Sequence, residues 1–296
     1  MAAAPTTSAD YKKIFDDVGY VIIPDLIPAE SRAELEAATQ RVVAKTRSGE
    51  WPHRRVVGKQ FPPFDLDNPD SWGVQHVMHP DLGEPAFARW YTSPALRAIA
   101  AELMGCTDEE LQMELFNILI NPTSHDFALR WHRDAVDGTA SEEEEARILK
   151  VAQYGIQWNT ALYRDSCLYV VPGSHRILRT PEQRAHSTDI EAPKNPLDMP
   201  GAIRVTLNPG ETVFYNSNIL HCAAYDSQQR RATLHACMGN TAGGAARANN
   251  ILQHGLLWMK EPRFRETLDE TGRVMLDRVI KMQESAGEEI KYSLKG

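Results

Sequence analysis

Two short apolar runs flank an Asn-Pro-Gly turn in Ile203-Arg204-Val205-Thr206-Leu207-Asn208-Pro209-Gly210-Glu211-Thr212-Val213-Phe214-Tyr215. Runs of β-branched and aromatic residues that are bounded by turn residues are typical of β-strands. Similar runs with turn residues between them lie on both sides of this stretch. They cover residues 111–120, 153–162, 167–171, 219–221 and 231–237. The pattern predicts a series of short, mostly antiparallel strands.

Helical patterns lie mostly at the two ends of the chain, at residues 11–17, 28–46 and 94–104 and in the tail 256–296. Strands and helices do not alternate regularly, which argues against a parallel βαβ sheet. We therefore predict a mainly β fold with flanking helices, of the antiparallel sandwich or jelly-roll type. Its core is expected at about residues 111–240 of a single domain that spans residues 1–296. The tail is expected to pack on the outside of the barrel or on a second subunit, which makes a homodimer one alternative.

The composition narrows the range of partners. The chain has 296 residues, 42% of them hydrophobic, and a net charge of −8. This acidic balance provides no general basic surface for nucleic acid. No run of 18 apolar residues occurs and the first residues lack the pattern of a signal peptide, so no membrane partner is expected. The four cysteines lack Cys-x-x-Cys spacing, which favours a reducing, cytoplasmic setting.

The stretch Trp131-His132-Arg133-Asp134 has the strongest metal-binding pattern in the sequence. On a strand, residues i and i+2 face the same side, so His132 and Asp134 could reach one ion. Imidazole and carboxylate suit several divalent metals, and two histidines with one carboxylate are typical of non-haem Fe(II) oxygenases. A third ligand must come from a distant strand. His221, at the predicted end of an apolar strand, is the candidate, and the chain between them is long enough to return in the opposite sheet.

Arg231 begins the last predicted strand, and Thr233 shares its face. A guanidinium fork beside a hydroxyl can hold a carboxylate through paired hydrogen bonds, which lysine cannot do in the same way. This pair indicates a dicarboxylate co-substrate. Arg230 is the alternative, because only one of the two neighbouring arginines can face the barrel interior. The face with Thr233 and His235 favours Arg231, although core packing remains the favoured interpretation of His235 itself.

Two further segments have alternative interpretations. Residues 50–90 are rich in proline and contain Arg54 and Arg55, so they form either a surface loop or a cover over a pocket that helps to select the substrate. The acidic run Ser141-Glu142-Glu143-Glu144-Glu145 resembles a capping box at a helix start. We interpret the run as a solvated face rather than a second metal site, although it could also act as a mobile lid.

Taken together, these pieces resemble the phytanoyl-CoA dioxygenase family of Fe(II)/2-oxoglutarate-dependent oxygenases. The resemblance rests on their order and spacing over about residues 11–240. The matching pieces are Gly19-Tyr20-Val21-Ile22-Ile23-Pro24, Trp131-His132-Arg133-Asp134, Ser166-Cys167-Leu168-Tyr169-Val170-Val171-Pro172-Gly173-Ser174-His175, His221 and Arg230-Arg231. The family often has Gln where this chain has Arg133. Strand alternation predicts that Arg133 points away from the metal.

The resemblance implies a double-stranded β-helix, a cupin-like jelly roll, with roles for six residues. His132, Asp134 and His221 would bind Fe(II). Arg231 would bind the distal carboxylate of 2-oxoglutarate, helped by Thr233, and Trp158 would line the co-substrate site. The implied reaction consumes molecular oxygen and a small-molecule substrate and releases succinate and CO₂. Hydroxylation is its default outcome.

Two other classes are compatible with parts of the pattern. A metal-binding cupin that acts as an isomerase or hydrolase would keep the metal ligands without using 2-oxoglutarate. A binding protein that has lost turnover would have an incomplete ligand triad, whereas the triad in this sequence is complete. The identity of the organic substrate has no motif in the sequence.

Overall fold

The computed structural model describes residues 8–68, 70–151, 154–188 and 191–287. The first residue of the predicted strand 153–162, and both ends of the predicted single domain, lie outside the described residues. Two antiparallel sheets face each other and form a double-stranded β-helix with flanking helices. The fold class that the sequence predicts is therefore confirmed.

The larger sheet has seven strands in the order β1-β9-β6-β11-β4-β3-β2, and the smaller has four in the order β5-β10-β7-β8. The strands in the described parts of the chain are β1 (Tyr20–Ile23), β2 (Arg54–Val56), β3 (Ser71–Val74), β4 (Leu111–Ile120), β5 (Phe127–Ala128), β6 (Gly155–Ala161), β7 (Leu168–Val170), β8 (Ile203–Arg204), β9 (Thr212–Tyr215), β10 (His221–Tyr225) and β11 (Ala232–Asn240).

Helices cover the outer face of the larger sheet. The α-helices in the described residues are α1 (Ser8–Val18), α2 (Ala29–Arg47), α3 (Pro85–Tyr91), α4 (Pro94–Met104), α5 (Glu142–Leu149), α6 (Pro181–Thr188), α7 (Ala248–Ile251), α8 (Pro262–Thr267) and α9 (Glu270–Ser285). The apolar face of α9 is buried in the same hydrophobic core as β4. The structure therefore shows the tail helix α9 packed on the outside of the barrel, which is one of the two predicted alternatives. In the described part of the chain, no helix has the length and hydropathy needed to cross a membrane.

The alternation of side chains along β11 decides which residues face the space between the sheets. Leu234 and Ala236 lie in the hydrophobic core that the flanking helices share. His235, between them, lines the cavity between the two sheets. Since strand side chains alternate with a period of two, Arg231 and Thr233 belong to the same inner face as His235.

The structure differs from the sequence prediction in two regions of the chain. Residues 50–90, interpreted as irregular, contain β2 and β3, which are only three and four residues long and lie at the edge of the larger sheet. Such short strands leave little periodicity to detect. His221 begins β10 instead of ending a strand, and it pairs with His132 in an isolated bridge within the same layer rather than returning in the opposite sheet.

Candidate metal and co-substrate site

The structure brings His132, Asp134 and His221 together at one end of the space between the sheets. One ligand atom from each residue lies within 4.8 Å of the others. Backbone pairing sets this arrangement: the His132 and His221 backbones exchange two hydrogen bonds of 3.0 Å. The Asp134 N–H also donates to the Ser217 carbonyl at 2.9 Å. The sequence spacing therefore places His132 and Asp134 on one face, directly beside the strand that begins with His221.

Both imidazole rings are oriented by backbone carbonyl groups. His132 Nδ1 lies 2.9 Å from the Arg130 carbonyl oxygen, and His221 Nδ1 lies 2.9 Å from that of Ile219. A carbonyl oxygen only accepts, so each Nδ1 carries a proton, and in the neutral ring the lone pair is then on Nε2. The Nε2 atoms lie 3.5 and 3.8 Å from Asp134 Oδ1. Two imidazoles and a carboxylate are thus oriented as ligands for one divalent ion.

Asp134 is held as a carboxylate. Burial would raise the pKa of Asp134, but the nearby His221 and His132 and a hydrogen bond donated by the Gln157 side chain leave it below its ordinary value. Burial, followed by the electrostatic effect of His132, lowers the pKa of His221 to about 4. Both groups are therefore in their metal-binding protonation states at neutral pH. The donor set fits Fe(II), since it leaves positions open for further ligands.

Replacing Gln157 by alanine is expected to weaken metal binding by about 10- to 100-fold, because partners of ligating carboxylates contribute on that scale. The metal dissociation constant, measured by equilibrium dialysis with Mn(II), checks this. Asn159→Ala is the matched control. Asn159 lies two residues further along β6 and bonds His235 instead of a predicted ligand. Equal effects of the two substitutions would contradict the role of Gln157.

Arg133 points away from the predicted metal ligands, as strand alternation predicts. Its guanidinium donates to the carbonyl oxygens of Ser174, Asn218 and Ile177. It also lies 3.3 Å from a carboxylate oxygen of Glu145. Burial lowers the pKa of Arg133 to about 10, against the opposing effect of Glu145. The residue between the two predicted ligands therefore anchors their segment to the loop after β7.

The acidic run 141–145 is not uniformly solvated, which corrects part of the sequence interpretation. Ser141 caps α5 as predicted, and Glu142 to Glu144 are exposed, but Glu145 is fully buried. Three arginines surround its carboxylate: Arg133, Arg179 and Arg184. Helical periodicity turns this one glutamate of the run inward. Glu145 joins α5 to the segment that contains His132 and Asp134.

Glu145→Gln is expected to lower the free energy of unfolding by about 3 kcal/mol or more, because breaking a buried charge network leaves its partners uncompensated. Urea denaturation of the purified variant measures this. Glu144→Gln, on the exposed face of the same helix, is the control and should change stability by less than about 0.5 kcal/mol. Similar values for both variants would mean that the arginine cluster contributes no net stability.

Arg231 is buried and lines the cavity between the sheets. Its Nε and Nη2 atoms both lie 3.0 Å from Asp165 Oδ2. Its guanidinium carbon lies 4.6 Å from the centre of the Tyr225 ring. The Nη1 atom is buried without a hydrogen-bond partner among the described residues. An unpartnered buried donor on a charged group is the condition that a ligand carboxylate would satisfy.

Thr233 lies beside Arg231, but its hydroxyl bonds Asp165, whereas the prediction was that it helps to bind 2-oxoglutarate. Its hydroxyl donates to Asp165 Oδ2 at 2.6 Å, so it orients the carboxylate that holds Arg231. Burial would raise the pKa of Asp165, but Arg231 and Thr233 leave it lowered. Arg230, the alternative, is exposed. Its guanidinium carbon lies 3.9 Å from the Tyr163 ring centre, and its Nη2 donates to the Tyr163 hydroxyl. Only Arg231 of the pair reaches the cavity.

The prediction that Trp158 lines the co-substrate site is wrong. Trp158 is fully buried, and its ring contacts Trp90, Tyr91 and Phe214 on the helix-covered side of the larger sheet. Register explains this, because Trp158 pairs with Ala236 on β11 and therefore shares the outer face of that strand. Its neighbours Gln157 and Asn159 line the cavity instead.

The cavity between the sheets has a volume of about 930 Å³, including the part open to solvent. It contains the three predicted ligands and Arg231. Sequence reasoning found no site role for two other lining residues, Tyr215 and Tyr225, and it favoured core packing for His235. It also overlooked Gln157 and the neighbouring Asp165. Arg55, Gln60 and Phe61 line the cavity, which agrees with the view of residues 50–90 as a pocket cover.

The family model of phytanoyl-CoA dioxygenase (PhyH) matches residues 15–233. This range covers most of the chain and contains all three predicted metal ligands and Arg231. The chain belongs to the phytanoyl-CoA dioxygenase family, a class of Fe(II)/2-oxoglutarate-dependent enzymes. Fe(II) and 2-oxoglutarate are therefore its metal and co-substrate. No curated protein sequence matches the chain significantly.

Solved structures share the fold at low sequence identity. AviO1 from Streptomyces viridochromogenes Tue57 is 15% identical with a TM-score of 0.57, over 80% of this chain and 97% of that one. EctD from S. alaskensis with 2-oxoglutarate and 5-hydroxyectoine is 18% identical with a TM-score of 0.56, over 82% and 79%. The epimerase SnoN in complex with Fe³⁺, alpha ketoglutarate and nogalamycin RO is 20% identical with a TM-score of 0.53, over 79% and 84%.

Proposed function

We propose that this protein hydroxylates a small organic molecule, using Fe(II), 2-oxoglutarate and molecular oxygen. The observation that carries the proposal is the joint placement of His132, Asp134, His221 and Arg231 around one cavity. The three ligands supply one face of a metal coordination sphere, and Arg231 supplies a guanidinium for the far carboxylate of 2-oxoglutarate. Bound together, the metal, co-substrate and oxygen supply the oxidant, with release of succinate and CO₂.

The residues of this chain orient the reactants and restrict water. The backbone carbonyls of Arg130 and Ile219 fix both imidazole rings, so the ligands need little reorganisation when a metal binds. Asp165 holds two of the Arg231 nitrogens and leaves Nη1 for the co-substrate. Leu119, Leu129 and Phe61 add apolar walls. Such walls exclude water and leave room for an organic substrate.

Hydroxylation is the outcome we propose over other outcomes of the same class. The third ligand is Asp134, a carboxylate, which disfavours halogenation because that reaction needs an open halide position instead. EctD was solved with a hydroxylated compound, whereas SnoN is named an epimerase and SnoK a carbocyclase. Proteins with related folds are therefore associated with different reaction outcomes. A cupin-type isomerase or hydrolase remains the rival class, and it would not consume 2-oxoglutarate.

The test is turnover of the Fe(II)-loaded enzyme with 2-oxoglutarate in air, followed by quantification of succinate and mass analysis of the organic product. Succinate formed in step with a product that has gained one oxygen atom is the expected result. A product of unchanged mass would indicate epimerisation, and loss of two hydrogens would indicate cyclisation or desaturation. Absence of succinate under all conditions would support the rival class.

The proposed cellular setting rests on the thiols. Cys106, Cys167, Cys222 and Cys237 are all free, and the last three are buried. Free buried thiols are typical of proteins from a reducing compartment. We therefore propose a cytoplasmic enzyme. A homodimer is a further proposal from the sequence, and analytical ultracentrifugation tests it.

A further inference from the structure

Arg55 lies on the inner face of the larger sheet, at the edge formed by β2 and β3. Arg55 pairs with Gly73, Gly73 with Leu119 and Leu119 with Thr233, so these positions form one row across four strands. Positions in one row share a face. Gly73 is needed there, since a Cβ at this position would lie 3.1 Å from Arg55 Cβ and 3.2 Å from its Cδ. The absent side chain at Gly73 gives the aliphatic stem of Arg55 room to cross toward the cavity.

Arg55 is buried, and its guanidinium has no counter-ion in the described part of the chain. The residue is 7% exposed, and no described residue forms a hydrogen bond with its Nε atom. Among the residues that the structure describes, no carboxylate lies within ion-pair distance of it. The guanidinium forms a cation–π contact with Trp72, whose ring centre is 5.3 Å from the guanidinium carbon. A buried charge without a partner is costly, which indicates that a ligand completes this site.

The other arginines that line the cavity are already neutralised. Asp165 pairs with Arg231, and Glu114 accepts two hydrogen bonds from Arg247 at 2.8 and 2.6 Å. Arg55 influences the pKa values of three histidines, of which His76 and His254 are buried and His235 is partly buried. Loss of solvation is the largest cause that lowers the pKa of each. They are therefore neutral and add no charge at neutral pH. Arg55 is the one uncompensated cation among the described residues that line this cavity.

Arg55 and Arg231 occupy different places in the cavity. Arg231 stacks on Tyr225, Tyr225 contacts Trp72 with ring centres 5.2 Å apart, and Trp72 carries Arg55. The row from Arg55 to Thr233 spans three strand spacings, which is about 14 Å between backbones at 4.7–4.9 Å each. The two guanidinium groups are therefore carried on different aromatic rings, Arg55 on Trp72 and Arg231 on Tyr225. A co-substrate held by Arg231 leaves Arg55 free for a second ligand.

We propose that Arg55 binds a carboxylate group of the organic substrate. A planar guanidinium matches a carboxylate through two parallel hydrogen bonds. A single uncompensated cation suits a singly charged group, whereas a phosphate would call for a second cation. The apolar side chains of Phe61, Leu119 and Leu129 line the same cavity and suit a hydrocarbon part of the ligand. This inference rests on the proposed function, because it names the class of molecule that the oxygenase acts on.

The test measures whether the cavity distinguishes a carboxylate from its neutral analogue. Protein loaded with Mn(II) and 2-oxoglutarate is titrated calorimetrically with straight-chain carboxylates from butyrate to decanoate and with the matching primary amides. In the wild type, at least one acid is expected to bind about 10-fold or more tightly than its amide, in line with a hydrogen-bonded charge pair. Arg55→Met should abolish the preference, Arg55→Lys should keep part of it, and Arg230→Met, outside the cavity, should keep all of it. No preference in the wild type, or an unchanged preference in Arg55→Met, would overturn the inference.

Two further measurements distinguish failure of this inference from failure of the proposed oxygenase function. Arg55→Met should raise Tm in the absence of ligand, since it removes an uncompensated buried charge, whereas loss of a structural ion pair would lower it. It should also leave the dissociation constant of 2-oxoglutarate within about 3-fold of wild type. A large rise in that constant for Arg55→Met but not for Arg231→Lys would assign Arg55 to the co-substrate and overturn the inference while the oxygenase function stands. If the wild type does not bind 2-oxoglutarate at all, the proposed function fails, and titration of the Mn(II) protein alone still decides the carboxylate preference.

Discussion

His221→Ala is expected to weaken divalent metal binding by more than about 100-fold, which is the largest effect in this account. Loss of an outer partner of a metal ligand alone costs about 10- to 100-fold. Loss of a ligand removes a direct bond as well, and His221 is one of only three candidates in the described residues. Its Nε2 carries the free lone pair, because Nδ1 bonds the Ile219 carbonyl. Equilibrium dialysis with Mn(II), followed by elemental analysis, gives the dissociation constant.

The matched control for this prediction is His186→Ala. His186 is exposed on α6 and lies outside the ligand group. It should leave metal affinity within about 2-fold of wild type, in line with surface substitutions away from a site. Because His221 also lies in a bridge with His132, circular dichroism should confirm that His221→Ala retains the fold. A folded His221→Ala variant with wild-type affinity would remove His221 from the metal site.

Replacing Arg231 is expected to raise the dissociation constant of 2-oxoglutarate by about 10- to 100-fold, the scale of one or two hydrogen bonds to a charged group. A simple Arg231→Met change would also leave Asp165 buried and unpaired, and the protein would lose stability for that reason. The double variant Arg231→Met/Asp165→Asn removes both charges and avoids that effect. Calorimetric titration of the Mn(II)-loaded protein with 2-oxoglutarate measures the change.

Arg230→Met is the control for the co-substrate arginine. Arg230 is the sequence neighbour of Arg231, but its guanidinium lies on the exposed Tyr163 ring. This variant should bind 2-oxoglutarate as the wild type does. If Arg230→Met weakened 2-oxoglutarate binding more than the double variant, the assignment of the two arginines would have to be exchanged.

Much of the fold could be predicted because the strands carry strong local signals. The apolar stretch of β4 was predicted with its observed bounds, and Arg47, one residue beyond the prediction, ends α2. The edge strands β2 and β3 could not be predicted, because three or four residues give too short a period and their partners lie far away in sequence. Local patterns thus define the centre of the larger sheet better than its edge.

The inner or outer position of single residues was harder to predict than the strands themselves. Strand alternation correctly predicted that Arg231 faces the cavity, because Thr233 and His235 lie on the polar face of β11. The prediction for Trp158 rests on resemblance alone, and its pairing with Ala236 places it on the outer face. Gln157 and Asn159 are the polar positions of β6, so strand alternation directs the tryptophan between them toward the helices.

Partners that meet only through tertiary contact had no sequence signal. Asp165 reaches Arg231 from a loop before β7, and Glu145 reaches three arginines from a run that otherwise reads as a solvated face. The sequence also could not predict that Arg55 lacks a counter-ion among the described residues, because this depends on which carboxylates fold close to it. Arg54 and Arg55 look alike in sequence, but the Arg54 side chain bonds backbone carbonyls of Thr46, Asp65 and Leu66.

The most direct test of the central claim is the visible spectrum of the wild-type protein mixed with Fe(II) and 2-oxoglutarate without oxygen. Chelation of the metal by the co-substrate at His132, Asp134 and His221 should produce a weak metal-to-ligand charge-transfer band. The band should be absent from His132→Ala. Absence of the band from metal-replete wild-type protein would contradict the assignment of an Fe(II)/2-oxoglutarate site to these residues.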